Sequence, residues 1–355
     1  MSKIMAVEHR LVNNAQDIRY RSRENKNARE SLKAHPSMIA ITREEKKLIE
    51  KTWGGLGLKI YTDWHCLYKN VNQFASEYVP TDLFYLRIIP KLNSRSFWAA
   101  WNEKTIYSRL FPNVSMPRTI GYRINGLFYD DKYKEISCDD FERILREEKR
   151  VIVKPSDGYE GRGVEIWDTH DVDLKTKLIH KARSYVVQEV LMQHESLSKL
   201  NESSVNPIRV MTLRLNGKIK YLHSIVRFGI PGSITDVNFK NGKEIIQACS
   251  VSSEGIINPY YYDANGLKWQ REETMGGNQV LQIPNFDKVI QLALEIHEGL
   301  YHFDLVGSDI TVDRNGNPIM IEFNIGSPGP IFPQYCNGPL FGDYTEELIF
   351  SLGRG

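Results

Sequence analysis

Cysteine is scarce. The 355-residue chain has four, Cys66, Cys138, Cys249 and Cys336, scattered with no CxxC spacing. That pattern argues against a structural zinc site, and the thiols read as reduced, as in a cytoplasmic protein. No run of 18 apolar residues occurs, so no membrane span is expected. The first thirty residues lack the apolar stretch of a signal peptide. A dominant charge is missing too. Lys and Arg number 46 against 44 Asp and Glu, a formal net charge of +2. This argues against a nucleic-acid partner bound through whole-chain charge. Internal repeats and low-complexity segments are also missing.

What is present is ordinary for a globular protein: 41% hydrophobic and 25% charged residues, with 18 Tyr and 14 Phe. The length exceeds one average domain. Residues 1–55 are charged and read as helix. Thr42 with Glu45 forms a capping box opening REEKKLIEKTW, and Trp53-Gly-Gly-Leu-Gly ends it. The basic stretch Arg19 to Lys33, interrupted by Glu24 and Glu30, reads as a solvated helix face, with a phosphate-binding arm as the alternative. Residues 56–115 carry mixed helical signals, broken by PNVSMP. TIGYRI and LFY flank Asn125-Gly126, a hairpin dipeptide. DDFERILREEKR is a short amphipathic helix. VIVKP is a buried strand leading into the glycine-rich SDGYEGRG, and SYVVQEVL is another apolar strand. From Arg209 the pattern is mostly β. RVMTLRL and KIKYLHSIVRFG form a hairpin about Asn216-Gly217, and ACSVS with IINPYYY suggest a second near Glu254-Gly255. After a helix over Asp287 to Gly299, HFDLVGSDITV and PIMIEFN turn at Asn315-Gly316. The fold class is α+β with antiparallel sheets.

Four features carry chemistry. In the last hairpin, alternation places Glu322 and Asn324 on one face, and the turn folds Asp309 back opposite them. Two carboxylates and an amide oxygen make a hard-oxygen set suited to Mg²⁺ on nucleotide phosphates. A single such acid could merely cap a turn. Glu322, however, interrupts an apolar strand and needs a cation or a hydrogen-bonding partner. Second, Lys154 ends a strand before Gly158, Gly161 and Gly163, whose backbone N–H groups can form an anion nest. An ordinary hairpin turn is the alternative. The spacing is neither a Walker A loop nor a Rossmann fingerprint, and HRD and DFG kinase motifs do not occur. Third, Gln188 and Glu189 interrupt SYVVQEVL, which reads as an edge strand able to offer partners to an adenine. Fourth, Arg209 and Arg227, on neighbouring strands, could clamp a carboxylate or phosphate, or form surface salt bridges.

In this order the segments resemble the ATP-grasp superfamily. Within it, YVPTDLFYLRIIPKLN, EKTIYSRLFPNVSMPRTI, INGLFYDDKY, VIVKPSDGYEGRGV, SVNPIRVMTL, VRFGIPGSITDVNFKNG and IEFNIGSPGP are similar to the sugar-transfer-associated ATP-grasp group, related to α-L-glutamate ligases. The resemblance covers roughly residues 75–350. It implies two α+β lobes gripping ATP, with a helical N-terminal extension. The implied divisions are a helical region over 1–75, a linker over 76–115, a small lobe with a glycine-rich lid over 116–192, and a core lobe with the Mg²⁺ site over 193–355.

The resemblance also implies roles. Lys154, with Ser156, Gly161, Arg162 and Gly163 of the lid, would bind ATP phosphates, and Lys104 or Lys91 would supply a second lysine. Gln188, Glu189, Val190 and Leu191 would hold adenine, and His194 or Glu195 the ribose. Asp309, Glu322 and Asn324 would bind Mg²⁺. Arg209 and Arg227 would hold the transferring phosphoryl group or acyl phosphate, with Asn238 facing the same phosphates. The sequence departs from the pattern at Tyr159, Glu160 and Arg162 in the lid and in the longer run after Asn324. The expected activity is an ADP-forming carboxylate–amine ligase working through an acyl phosphate. Its partners would be small acids and amines, sugar-linked ones included, in surface polysaccharide or secondary-metabolite assembly. A dimer is compatible with the sequence. The rival expectations are a kinase acting on a small-molecule hydroxyl and a non-catalytic ATP-binding protein.

Overall fold

The strand patterns in the sequence resolve into two antiparallel sheets with a cleft between them. The computed structural model describes residues 3–158, 161–240 and 243–353. Tyr159 and Glu160, singled out above, lie outside the described residues, as does Gly242.

The smaller sheet contains β1 (Thr119–Ile124), β2 (Leu127–Asp130), β3 (Glu135–Ile136), β4 (Arg150–Pro155), β5 (Glu165–Asp168) and β6 (Tyr185–Glu189), in the order β3-β2-β1-β6-β4-β5. Asn125 and Gly126, both at positive φ, make the β1–β2 turn. One face buries Val151, Val153, Trp167 and Val187 against the helices Cys138–Leu145 and Leu174–His180. The other face looks across the cleft. β6 is not the edge strand that its polar end suggested. It lies between β1 and β4 and pairs with both. Glu189 is polar because it reaches the cleft and Gln188 because it faces a small cavity beside it, not because the strand lacks a neighbour.

The larger structure is built from β7 (Ile208–Leu215), β8 (Lys218–Phe228), the short pair β9 (Asn238–Lys240) and β10 (Lys243–Ile245), β11 (Gln247–Ser250), β12 (Ile256–Ile257), β13 (Tyr260–Tyr262), β14 (Lys268–Gln270), β15 (Leu281–Gln282), β16 (Leu305–Val312) and β17 (Pro318–Asn324). Seven of them form one sheet in the order β14-β13-β11-β8-β7-β16-β17. The second expected hairpin is split: β11 pairs with β13, while β12 turns away to pair with β15. Both faces of the large sheet are covered, which is why β7 and β16 read as near-continuous apolar runs. Val210, Ile310 and Met320 pack toward the helix Phe286–Glu298. Met211, Leu213 and Leu305 pack the other way, toward helices from the N-terminal region and the C-terminal helix Thr345–Gly353.

The N-terminal region is a set of helices lying on this sheet. α1 (Lys3–Leu32) buries Glu24, Asn25 and Ala28 and leaves Arg19, Arg23, Lys26 and Arg29 exposed, so the basic stretch is largely the solvated face expected, with Arg21 turned partly inward. It packs against α3 (Asp63–Val71) and pairs Arg21 with Asp82 at 2.9 Å. Between them, α2 (Arg43–Trp53) opens with the expected box: Thr42 Oγ1 accepts from the Glu45 N–H and the Glu45 carboxylate accepts from the Thr42 N–H. Residues 81–110 are short helical turns rather than one helix.

Candidate active site

The chemistry-bearing side chains form a row across three strands. On β7, β16 and β17, Arg209 is register partner of Asp309, and Asp309 of Glu322. Asn324, opposite Gly307, lies on the same face and donates from Nδ2 to Asp309 Oδ2 at 3.2 Å. Asp309 and Arg209 are both buried, and the guanidinium forks onto the carboxylate: Nη2 donates to Oδ2 at 2.8 Å and Nε donates to Oδ1. Its third nitrogen, Nη1, donates to the Pro328 carbonyl at 2.8 Å. Burial works to raise the Asp309 carboxyl, but Arg209, then Arg227 and Asn324, outweigh it and hold the group below the usual carboxylate range.

Across the cleft, β4 presents Lys154 at the start of the glycine loop. Burial first, and Lys104 in addition, push this lysine down to about 8, with Glu322 opposing the shift. Lys104 comes from the turn Lys104–Ile106. Its backbone N–H donates to the Ser156 carbonyl, its Nζ donates to the Gly158 carbonyl at 2.7 Å, and the same Nζ lies 3.7 Å from Glu322 Oε2. Lys104 thus touches the loop and the Glu322 strand together. Lys91, offered as the alternative, is not in the cleft and donates to the Leu352 carbonyl instead.

Lys104, Lys154, Glu322 and Asp309 stand at the polar end of a cleft. The rest of its wall includes Ile152, Val164, Leu191, Val205 and Ile321. An apolar slot ending in two lysines and two carboxylates suits a flat base with an anionic tail. Glu189 lines the slot, with one carboxylate oxygen accepting from the Arg118 N–H at 2.8 Å. Val190, His194 and Glu195 line an adjoining recess shared with Leu191. Within it, His194 Nδ1 accepts from the Ser196 N–H at 3.2 Å. Gln188 is turned to a smaller cavity behind Lys154.

The lid residues divide. Gly161 and Arg162 line the cleft. Gly161 has φ +69°, and a Cβ there would sit 2.8 Å from Thr235 Cγ2, so only glycine lets the two loops meet. Ser156 is buried at the loop base, its N–H donating to the Ser184 carbonyl, and Gly163 packs on Pro155. Neither lines the cleft. Asn238 begins β9 beside Gly229 and lines neither the cleft nor the chamber beyond it.

That chamber opens from the polar end and is lined by Tyr85, Arg162, Arg209, Arg227, Glu322 and Asn324, among others. The Arg227 guanidinium is already paired, Nε donating to Asp236 Oδ2 at 2.7 Å. Burial works against its charge, but Asp236, Asp309 and Glu322 prevail and raise it above its usual value. Asp236, Thr235 and Tyr85 are site residues that the sequence reading missed. The first two sat inside the quoted SITDVNFKNG, where an acid between turn residues gave no sign of its arginine.

Asp309, Glu322 and Asn324 offer oxygen donors of the kind Mg²⁺ prefers. No group of three or more His, Cys, Asp or Glu able to hold a metal occurs among the described residues. An ion on this trio therefore needs further ligands from a bound molecule or water. No helix among the described residues is long and apolar enough to cross a membrane.

Among solved structures, the chain is similar to the ATP-grasp ligase PsnB complexed with a minimal precursor: 16% identity, TM-score 0.43, covering 73% of this chain and 63% of that one. It is also similar to an L-amino acid ligase from Bacillus licheniformis, with 12% identity, TM-score 0.37, and coverage of 70% and 47%. For a biotin carboxylase from Campylobacter jejuni the values are 12%, 0.43, 72% and 46%. The chain spans less than two thirds of each of these proteins. No curated protein matches it. The profile of one family, sugar-transfer associated ATP-grasp, matches residues 84–344, and the chain belongs to that family and has its α+β fold.

Proposed function

We propose that the protein is an ADP-forming carboxylate–amine ligase acting through an acyl phosphate. The observation that carries this reading is the row Arg209–Asp309–Glu322, facing Lys154 and Lys104 where the apolar slot meets the arginine-lined chamber. The slot takes the adenine, with Leu191 and Glu189 at its rim. Lys154 and Lys104 take phosphate oxygens, Lys104 leaving the Gly158 carbonyl to do so. Asp309, Glu322 and Asn324 would hold Mg²⁺, which would supply charge neutralisation for the phosphates. The chamber places a substrate carboxylate beside the terminal phosphate. Its oxygen attacks phosphorus, the bond to ADP breaks, and an acyl phosphate forms. An amine then attacks the acyl carbon and phosphate leaves with the C–O electron pair. Arg209 and Arg227, held rigid by their carboxylates, keep positive charge facing both transition states without reorganisation. The lid over Gly161 excludes water from the acyl phosphate.

The test is ADP release screened over pairs of acids and amines, with product masses. An amide plus free phosphate supports the ligase. A stable phosphorylated product overturns it in favour of a kinase. Glu322→Gln keeps the size and a hydrogen bond but removes the charge. It is expected to lower turnover by about 100-fold or more. Unchanged turnover and Mg²⁺ dependence would count against Glu322 as a metal ligand.

A further inference from the structure

The N-terminal helix precedes the family match at residues 84–344, yet its side chains converge on the segment that enters the chamber. Arg21 Nε donates to Asp82 Oδ2 at 2.9 Å, and Asn25 Nδ2 reaches the same oxygen at 3.4 Å. Asp17 pairs with Arg87 at 3.4 Å. Between those anchors the Tyr20 ring meets Tyr85 edge-on, with centroids 6.1 Å apart. The Arg21 and Asp82 side chains are 14% and 4% exposed, so solvent screens this pair far less than a surface one. Asp82 lies just before a single π-helical turn, Phe84–Ile88, and Arg87 lies within it. Such turns are rare and frequently lie at functional sites. Here Phe84 is fully buried while Tyr85 faces the chamber, its hydroxyl 2.9 Å from Ser327 Oγ. Ser327 belongs to the long run after Asn324.

We propose that α1 is a brace for the substrate side of the site: Tyr85 is a specificity-determining residue for the acid bound in the chamber, and Arg21 and Tyr20 are positioning residues acting through it. The proposal rests on the ligase reading. The two hydroxyls, Tyr85 and Ser327, each donate and accept, and Ile331 and Phe332 flank them in the wall. This pairing recognises a neutral hydrogen-bonding group, a hydroxyl or an amide, carried by an acid with an apolar body.

The experiment uses the full chain with ATP, Mg²⁺, hydroxylamine as a general nucleophile, and a panel of amino acids and hydroxy acids. With the acid of highest ADP release, Tyr85→Phe is expected to raise the KM for the acid about five-fold, the loss of one hydrogen bond. The KM for ATP stays within about two-fold. Arg21→Ala raises the same KM, and adding it to Tyr85→Phe gives no further rise, because both act through one contact. Lys26→Ala, exposed on the same helix, changes neither. An unchanged acid KM in Tyr85→Phe, or acid and ATP KM rising together in Arg21→Ala, overturns the brace. If Arg21→Ala does not fold, Arg21→Lys removes the guanidinium that bonds Asp82 while keeping the charge. Wild-type protein that releases no ADP over the panel is a failure of the ligase reading instead. The brace is then decided by hydrogen exchange. Arg21→Ala must speed exchange over residues 84–88 at least about ten-fold relative to β16, and equal or unchanged exchange overturns it.

Discussion

At the residue scale the cleft is set by which charges are already paired and which await a ligand. Arg209 and Arg227 are bound to Asp309 and Asp236, so they serve as fixed electrostatic walls. Lys154 is different. It shares the cleft with Glu322, but burial outweighs that carboxylate and holds it near 8. A lysine lowered in this way carries its charge below about pH 8 and loses it as pH rises through that value. Free-enzyme titration appears in kcat/KM. The expected outcome is that kcat/KM for ATP falls on the alkaline side of about pH 8. In Lys154→Arg, whatever its absolute rate, that alkaline limb is gone, because a guanidinium does not titrate there. An identical alkaline limb in both proteins would show that another group is responsible.

At the scale of elements, local signals were legible and distant ones were not. The Thr42–Glu45 box and the turns at Asn125-Gly126, Asn216-Gly217 and Asn315-Gly316 are written in neighbouring residues, and all occur. The alignment of Asp309 with Glu322 was legible because one short hairpin fixes it. The fork from Arg209 to Asp309 spans 100 positions, and only strand order places β7 beside β16. The misread edge at Gln188 has a physical cause: polar residues look solvated until a partner element is known, whereas the basic face over Arg19 to Lys33 was legible because its charges do face water. The lid shows the same limit. Gly161 looked like a phosphate-nest glycine, but the structure also gives it a steric duty against Thr235 on the opposing loop. Gly161→Ala puts a Cβ at positive φ and into that methyl group. The cost is about 1–2 kcal/mol in conformation alone, so kcat/KM for ATP should fall about ten-fold. Adding Thr235→Ser removes the methyl and should restore part of the loss. No recovery in the double variant would mean that backbone strain, not the contact between the loops, is what Gly161 avoids.

At the scale of the whole molecule, the two sheets are joined at few places. The chain leaves β6 through Val190 and Leu191, and the His194 N–H then donates to the Val312 carbonyl of the large sheet. The large sheet and the helices laid on it hold two fully buried histidines. His297, on the helix Phe286–Glu298, bonds Thr212 Oγ1 at 2.7 Å and the Phe303 carbonyl at 3.0 Å. His65, on α3, bonds the Ser76 carbonyl at 3.2 Å. Burial pushes each down to about 4, with Arg214 also lowering His297. In the unfolded chain each titrates near 6.5. Between those values the unfolded state binds more protons than the folded one, so stability rises with pH across the window and is lost as pH falls from about 6.5 toward 4. The slope per histidine is bounded by about 1.4 kcal/mol per pH unit. Urea denaturation from pH 7 to pH 4.5 should show a midpoint that drops steadily below pH 6.5. In His65→Gln the drop should be shallower, because one of the three histidines that burial pushes to about 4, His65, His297 and His223 of β8, no longer takes up a proton on unfolding. A midpoint flat over that range would mean that these histidines are protonated inside the fold, and that the packing of α3 and the helix Phe286–Glu298 on the large sheet admits a charge that their burial forbids.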